Sequence, residues 1–221
     1  MAETTITVVT PWVDATELAP GYWHAVRSLD DRDDLIVIDN GSVPPLEESW
    51  ADTVREEPTT GVTFVRFEHN IGFGRACNIG LDRAETDAVL FLNNDIRATD
   101  PTWLDPIRKT LRPGALVGAQ LRADPHTAVN GTPIPYLDGW CLAGMRDDLV
   151  NIGGWNEEFE EPAYYGDNEL CVRARAAGMD LAEVQTGLVH IGNYTSKRMD
   201  VTGVSARNRA LYERAARNLA P

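Results

Sequence analysis

The sequence predicts an α/β domain built on a central, mainly parallel β-sheet flanked by helices. Three observations predict it. Short apolar runs recur along the chain with helical stretches between them, which reads as parallel strands joined by crossovers. Several of those runs stop abruptly on polar clusters, as Ala88–Leu92 does on Asn93-Asn94-Asp95, and open α/β sheets bind ligands at the carboxyl ends of their strands. A length of 221 residues supplies one sizeable core within a single domain.

The elements follow in order. Thr5–Val9 is the first strand, and the stretch after it places Tyr22, Val26 and Leu29 on one helical face. Leu35–Ile38 is a second buried strand, ending in Asp39-Asn40-Gly41-Ser42, and Val62–Phe67 is a third. A helix over about 74–83 leads into the Ala88–Leu92 strand, whose unbroken apolar character fits a position buried on both faces. Residues 113–136 carry four prolines (Pro113, Pro125, Pro133, Pro135) and predict a loop-rich surface. Leu137–Gly144, a helix near 146–151 and a Gly- and Glu-rich loop follow. Then come a helix over 167–177, the short run Leu188-Val189-His190, a polar loop and a last helix over about 205–219. One domain results, with a nucleotide-binding first half and a more variable second half.

Composition excludes several classes. No stretch approaches the roughly 20 apolar residues that span a bilayer. The opening residues lack the basic and apolar segments of a secretory signal, so a cytoplasmic location is expected. Cys77, Cys141 and Cys171 are widely spaced and odd in number, which fits small core residues in a reducing compartment better than a disulfide framework or zinc cluster. A formal charge of −14 opposes stable nucleic-acid binding. From Lys197 onward the tail is nevertheless about +4 against about −18 for the rest. Either a solvated helix face or a binding surface would account for that contrast.

Four groups of residues could carry chemistry. Asn93-Asn94-Asp95 and Asp39-Asn40 would sit together at one edge of the sheet. The acid can hold a hard cation and the carboxamides can bind a ribose or phosphate, although Asn and Asp also serve plain turns. Between them lies Asn70–Gly80, whose glycines allow a close backbone approach and whose helix offers free N–H groups to an anion. It is not the dinucleotide fingerprint, which follows the first strand immediately. Asp167 and Glu169 are two residues apart and diverge by about 200° on a helix, so they cannot share one task. Asp167 is either a helix cap or a carboxylate presented as a general base. His190 ends a short apolar run as a structural residue or a ligand. Trp140 and Trp155 are either core or flat apolar surface for an acceptor ring.

Taken together, VIDNGS, NIGFGRACNIGL, VLFLNND, DGWCLAGMRDDLVNIGGWNEEF, YYGDNELCVRARAAG and VHIGN, in this order, resemble the inverting glycosyltransferase family 2, including its rhamnosyltransferase-like members. The resemblance runs from about residue 5 to about residue 196. It implies a GT-A fold, a single Rossmann-like domain, with a nucleotide-sugar-binding half (about 1–112) and an acceptor-binding half carrying the C-terminal helix (about 113–221). It also implies a UDP-, dTDP- or GDP-sugar donor, Mg²⁺ or Mn²⁺, and a hydroxyl-bearing acceptor. Asn93-Asn94-Asp95 matches the DXD motif, so Asp95, with His190, would hold the metal. Asp167 matches the proposed catalytic base. Thr10, Pro11, Asp39, Asn40, Asn70, Gly72, Arg75, Asn78, Asn93 and Asn94 fall to the donor, and the charge contrast of the basic tail, beyond the resemblance, adds Lys197 and Arg198. Gly139, Trp140, Trp155 and Glu169 fall to the acceptor. A homodimer is left open.

The chain departs from the family pattern in three places. Its DXD element begins with Asn93, Gly166 stands where a Glu precedes the base, and Gly153-Gly154-Trp155-Asn156 replaces the usual GG-Phe-Asp. Two rival functions are a nucleotidyltransferase and a catalytically degenerate sugar-nucleotide-binding protein. The first should carry a Gly- and Lys-rich loop after the first strand, where Thr10-Pro11-Trp12-Val13-Asp14 stands instead. The second is opposed by the presence of both Asp95 and Asp167.

Overall fold

A computed structural model of the chain describes residues 3–48, 50, 62–129, 132–159, 164–192, 194 and 203–219. The strands are β1 (Ile6–Trp12), β2 (Asp34–Asn40), β3 (Val62–Phe67), β4 (Ala88–Leu92), β5 (Ile96–Ala98), β6 (Ala115–Gly118), β7 (Leu121–Val129), β8 (Thr132–Leu137), β9 (Cys141–Met145), β10 (Asp180–Glu183) and β11 (Leu188–His190). The helices are α1 (Ala19–Val26), α2 (Phe73–Arg83), α3 (Asp105–Thr110), α4 (Arg146–Asn151), α5 (Gly166–Ala176) and α6 (Val204–Leu219).

Seven strands form the central sheet in the order β10-β6-β9-β4-β1-β2-β3. β1 pairs in parallel with β2 and β4, and β2 with β3. β9 is antiparallel to both its neighbours, β4 and β6. The sheet is therefore mainly parallel, as predicted. Successive side chains leave a strand on opposite faces, and here both faces are buried. Val8, Val37 and Leu90 turn to the face packed by Tyr22 of α1 and Ile107 of α3. Val9, Ile38 and Phe91 turn to the face packed by Leu81 of α2, Leu149 of α4 and Leu170 of α5. Each such side chain contributes about 1.5–3 kcal/mol. Gly80 of α2 is required by this packing: a Cβ there would sit 2.2 Å from a Val9 methyl. At the amino end of the strands, Asp33 accepts from the Ile6 N–H at 2.9 Å and pairs with the buried Arg108 guanidinium. That pair ties β1, β2 and α3 together on the side away from the polar clusters.

The proline-rich stretch corrects one expectation. Residues 113–136 are not mainly loop but β6, β7 and most of β8. Pro133 and Pro135 fall in the β7–β8 ribbon, opposite Ala128 and Ala123. A two-stranded ribbon gives each strand an open side that tolerates a residue without an N–H. β5, β10 and α3 were also not foreseen. β5 matters most, because β11 pairs with it and sets His190 opposite Ile96, the residue after Asp95.

Candidate active site

β1, β2 and β4 run in the same direction, so Thr10-Pro11, Asp39-Asn40 and Asn93-Asn94-Asp95 emerge at one edge of the sheet, with β1 between the other two. Asp39 is buried with its carboxylate fully engaged. It accepts from the N–H groups of Ser42 at 2.9 Å and Leu46 at 3.0 Å, and from the Arg66 guanidinium. Asn40 reaches across to the glycine loop: its Oδ1 accepts from the Ile71 N–H and its Nδ2 donates to Asn70 Oδ1, both at 2.8 Å. Asn70 Oδ1 also accepts from the Gly72 N–H at 2.8 Å. Asp39, Asn40, Asn70 and Gly72 are thus brought together, as a network that fixes two loop backbones.

Of the other residues expected at the donor, Thr10 and Asn78 make their side-chain contacts elsewhere. The Thr10 hydroxyl pairs with Tyr22 inside the core. Pro11 is half-buried and Arg75 is exposed on α2. Asn78 binds the 155–157 loop, donating to Trp155 O at 2.8 Å and accepting from the Trp155 N–H at 2.8 Å. Lys197 and Arg198 lie outside the described residues.

At the end of β4, the Asn93 N–H donates to Trp140 O at 2.8 Å, and Asn94 and Asp95 are buried. Asp95 Oδ1 lies 3.0 Å from His190 Nε2, and its Oδ2 accepts from the Tyr194 N–H at 3.3 Å. Burial alone would raise the Asp95 carboxyl. The His190 ring and the Tyr194 N–H outweigh it and hold the acid below the usual carboxylate range. Among the described residues no third His, Cys, Asp or Glu joins this pair.

Asp167 sits in the first turn of α5. Its Oδ2 accepts from the Gly139 N–H at 2.9 Å and its Oδ1 from the Asn168 N–H at 3.0 Å. Burial, and then the nearby Asp138 carboxylate, push it up to about 6 against the pull of those N–H groups. Glu169 points elsewhere, into a two-pronged ion pair with Arg173 at 2.7 and 2.8 Å. The predicted divergence of the two acids holds.

The two tryptophans pack on opposite faces of the sheet. Trp155 is 3% exposed, with Phe91 and Phe73 edge-on at 5.5 and 5.1 Å. It is a core residue. Trp140 is 7% exposed and lies flat on the His190 ring. Sequence reasoning missed Asp138, although it begins the Asp138-Gly139-Trp140 stretch singled out above, and Tyr194, whose contribution is a backbone N–H that no side-chain pattern reveals.

This geometry has relatives. The family model described as Glycosyl transferase family 2 matches residues 7–154. The O-antigen biosynthesis protein RfbC of Myxococcus xanthus is 25% identical over 197 residues, covering 71% of this chain and 15% of that protein. The uncharacterized protein y4gI of Sinorhizobium fredii is 24% identical over 185 residues, covering 69% of this chain and 20% of that one. The chain thus spans a fifth or less of the curated relatives it matches. Among solved structures, the mannosyltransferase PcManGT from Pyrobaculum calidifontis in complex with GDP-Man and Mn²⁺ superposes with a TM-score of 0.68 at 16% identity, covering 83% of this chain and 55% of that one. GalNAc-T7 with UDP, GalNAc and Mn²⁺ gives 0.70 at 14% identity, covering 98% and 48%. The fold they share with this chain is the GT-A fold. With a family match over more than half of its residues, the chain belongs to glycosyl transferase family 2.

Proposed function

We propose that the chain is a metal-dependent, inverting glycosyltransferase that moves a hexosyl group from a nucleotide-sugar donor to an acceptor hydroxyl. One observation carries this reading. The backbone of Gly139-Trp140 touches both halves of the chemistry, holding Asp167 through the Gly139 N–H and the β4 end through Trp140 O. A raised acid and a carboxylate–imidazole pair therefore flank one corner of the sheet.

The donor set fits a divalent cation. The Asp95 carboxylate oxygen suits Mg²⁺ or Mn²⁺, and the imidazole nitrogen 3.0 Å from it adds a donor that a transition ion such as Mn²⁺ accepts more readily than Mg²⁺. Such ions commonly take only one or two protein ligands and fill the rest with substrate phosphates and water. Bound by Asp95 and His190, the cation would neutralise charge on the departing diphosphate. Asp167 accepts the proton of the acceptor hydroxyl. The acceptor oxygen bonds to the anomeric carbon from the face opposite the leaving group, whose oxygen departs with the bonding electron pair as the nucleoside diphosphate. A single displacement of this kind inverts the anomeric configuration. The network of Asp39, Asn40, Asn70 and Gly72 presents backbone to the nucleoside, and Asn93 and Asn94 border the ribose and diphosphate.

UDP-, dTDP- and GDP-sugars are the donor candidates, and solved neighbours carry GDP-Man, UDP and UDP-GlcNAc. The three cysteines are free and buried, as a reducing cytoplasm permits. Among the described residues no helix is long and apolar enough to cross a membrane. The test is a panel of nucleotide sugars incubated with Mn²⁺ or with EDTA, the product anomer being read by NMR. Metal-dependent release of nucleotide with an inverted product supports the reading. Donor binding without turnover on any sugar would favour a binding protein, and a retained anomer would remove the single displacement.

A further inference from the structure

The stacked pair Trp140–His190 is the strongest feature that the proposed mechanism leaves unused. The ring centroids are 4.9 Å apart and the planes 10° from parallel. His190 reaches the site from β11, and its backbone is fixed there by pairing with Ile96 and by the neighbouring Ile191 N–H, which donates to Asp95 O at 2.8 Å. The backbone being set, the imidazole retains only its two side-chain torsions. A ligating histidine is ordinarily oriented by a hydrogen bond at its second nitrogen. Among the described residues no hydrogen bond reaches His190 Nδ1. What covers the ring is the indole.

The indole is held in turn. Trp140 O accepts from the Asn93 N–H at 2.8 Å, two residues before Asp95, and its side chain is packed among core residues with 7% exposure. Its N–H finds no partner among the described residues, so packing alone fixes the plane. With one face on His190 and little surface left, Trp140 presents no open face to an acceptor ring.

We infer that Trp140 is a positioning residue for His190: its indole sets the plane of the imidazole so that Nε2 meets Asp95 and the cation both would hold. The inference rests on the metal-dependent reading above. It assigns Trp140 to the metal side of the site, not to the acceptor.

Six proteins test it: wild type, Trp140→Phe and Trp140→Leu, and the same three forms in a His190→Ala background. Mn²⁺ is titrated calorimetrically into protein saturated with UDP. Loss of an orienting neighbour costs about 10-fold or more in metal affinity, so Trp140→Leu should weaken Mn²⁺ by that factor. Trp140→Phe, which keeps a flat ring and removes an unpaired N–H, should stay within about threefold of wild type, since the orienting surface remains. In the His190→Ala background the Trp140→Leu effect should vanish. An equal loss in that background, or no loss in the single variant, overturns the inference while the metal reading stands. Absence of Mn²⁺ affinity in wild type overturns both. Should Trp140→Leu not fold, unmodified protein decides. The His190 ring protons should resonate upfield of those of the other histidines, shielded by the indole, and should broaden first as Mn²⁺ is added. An unshielded His190 overturns the inference.

Discussion

The Gly139 N–H donates to Asp167 Oδ2 at 2.9 Å, so the corner between β8 and β9 holds the proposed base in place. A second N–H, from Asn168, takes Oδ1 at 3.0 Å. Two such donors favour the anion. Burial opposes them first and Asp138 second, and the opposition wins, leaving Asp167 at about 6. A carboxylate so placed is mostly ionised at neutral pH yet holds a proton far better than a surface acid, which suits a general base.

Asp167→Asn should lose transfer by about 10²–10⁴-fold, the usual worth of general base catalysis, with donor affinity unchanged. It should also be more stable than wild type at pH 8. The folded-state pKa lies above the ordinary 3.8, so the wild-type group contributes stability below about 3.8 that is lost as pH rises through about 6. The full difference is roughly 3 kcal/mol, from 1.36 per pKa unit, reduced by the acceptor oxygen that Asn gives up. Urea unfolding at pH 4 and pH 8 checks the sign. A variant less stable at pH 8 than at pH 4 relative to wild type contradicts it.

The acid limb of the rate profile should fall near pH 6 and move down in Asp138→Asn. Among the described residues, Tyr136 and Cys171 also feel the Asp167 charge; both are pushed up to about 12 mainly by burial, so neither titrates near the limb. Asp138 is itself tied to Arg122 at 2.7 Å. Removing its charge lowers the proton affinity of Asp167 and leaves the Gly139 N–H in place. A limb that stays put in Asp138→Asn means that the carboxylates do not interact across this corner.

Asp95→Ala should abolish the Mn²⁺ dependence of UDP binding; it also strands the His190 ring and the Tyr194 N–H, a stability loss of about 1–3 kcal/mol per unpaired buried group. Calorimetry with and without EDTA reads the Mn²⁺ dependence directly. Equal UDP affinity in wild type and variant, both with Mn²⁺, would exclude Asp95 as a ligand.

The reach of the sequence is clear from these residues. The places of Asp95 and Asp167 in the fold were legible because each follows a signal that physics makes local: the polar end of an apolar strand, and the first turn of a helix. The sheet was legible from Val8, Val37 and Leu90, whose runs are too apolar for a half-exposed strand. Trp140 and Trp155 were not, since an aromatic reads alike whether it packs inward or faces a ligand, and only the tertiary fold puts one on each face. The β7–β8 ribbon stayed hidden because its prolines mark loops in most settings. Asp138 was hidden because its effect acts through space on a residue 29 positions away.

Gly139→Ala should lower transfer without touching donor binding. A Cβ at this position would lie 3.0 Å from Asp167 Cβ and 3.2 Å from the Trp155 ring. Neither neighbour is free to retreat, because Asp167 is held by two N–H groups and Trp155 is buried. The neighbours must give by a few tenths of an ångström, overpacking that costs about 1–3 kcal/mol and that lowers the rate by less than the roughly 10²-fold of a full 1 Å misplacement. Single-turnover transfer alongside UDP affinity separates the effects. Wild-type turnover would show that the Gly139–Asp167 approach is incidental.

Glu169 and Arg173 settle whether the second acid of α5 serves the acceptor or the fold. Arg173 grips both Glu169 oxygens and also donates to Ile152 O and to Gly154 O, the latter at 2.7 Å. The pair therefore clamps the loop that leads into Trp155, and Glu169 is 3% exposed. Arg173→Met strands a buried carboxylate and two carbonyls, which costs about 3–5 kcal/mol. For a domain of this size that lowers Tm by roughly 10 °C, at about 2–4 °C per kcal/mol. Glu169→Met with Arg173→Met removes both charges and should recover much of the loss, since a buried pair replaced by apolar side chains is often neutral. Transfer by the double variant, measured below its melting range, should stay near wild type. If stability returns but transfer does not, Glu169 belongs to the acceptor site after all.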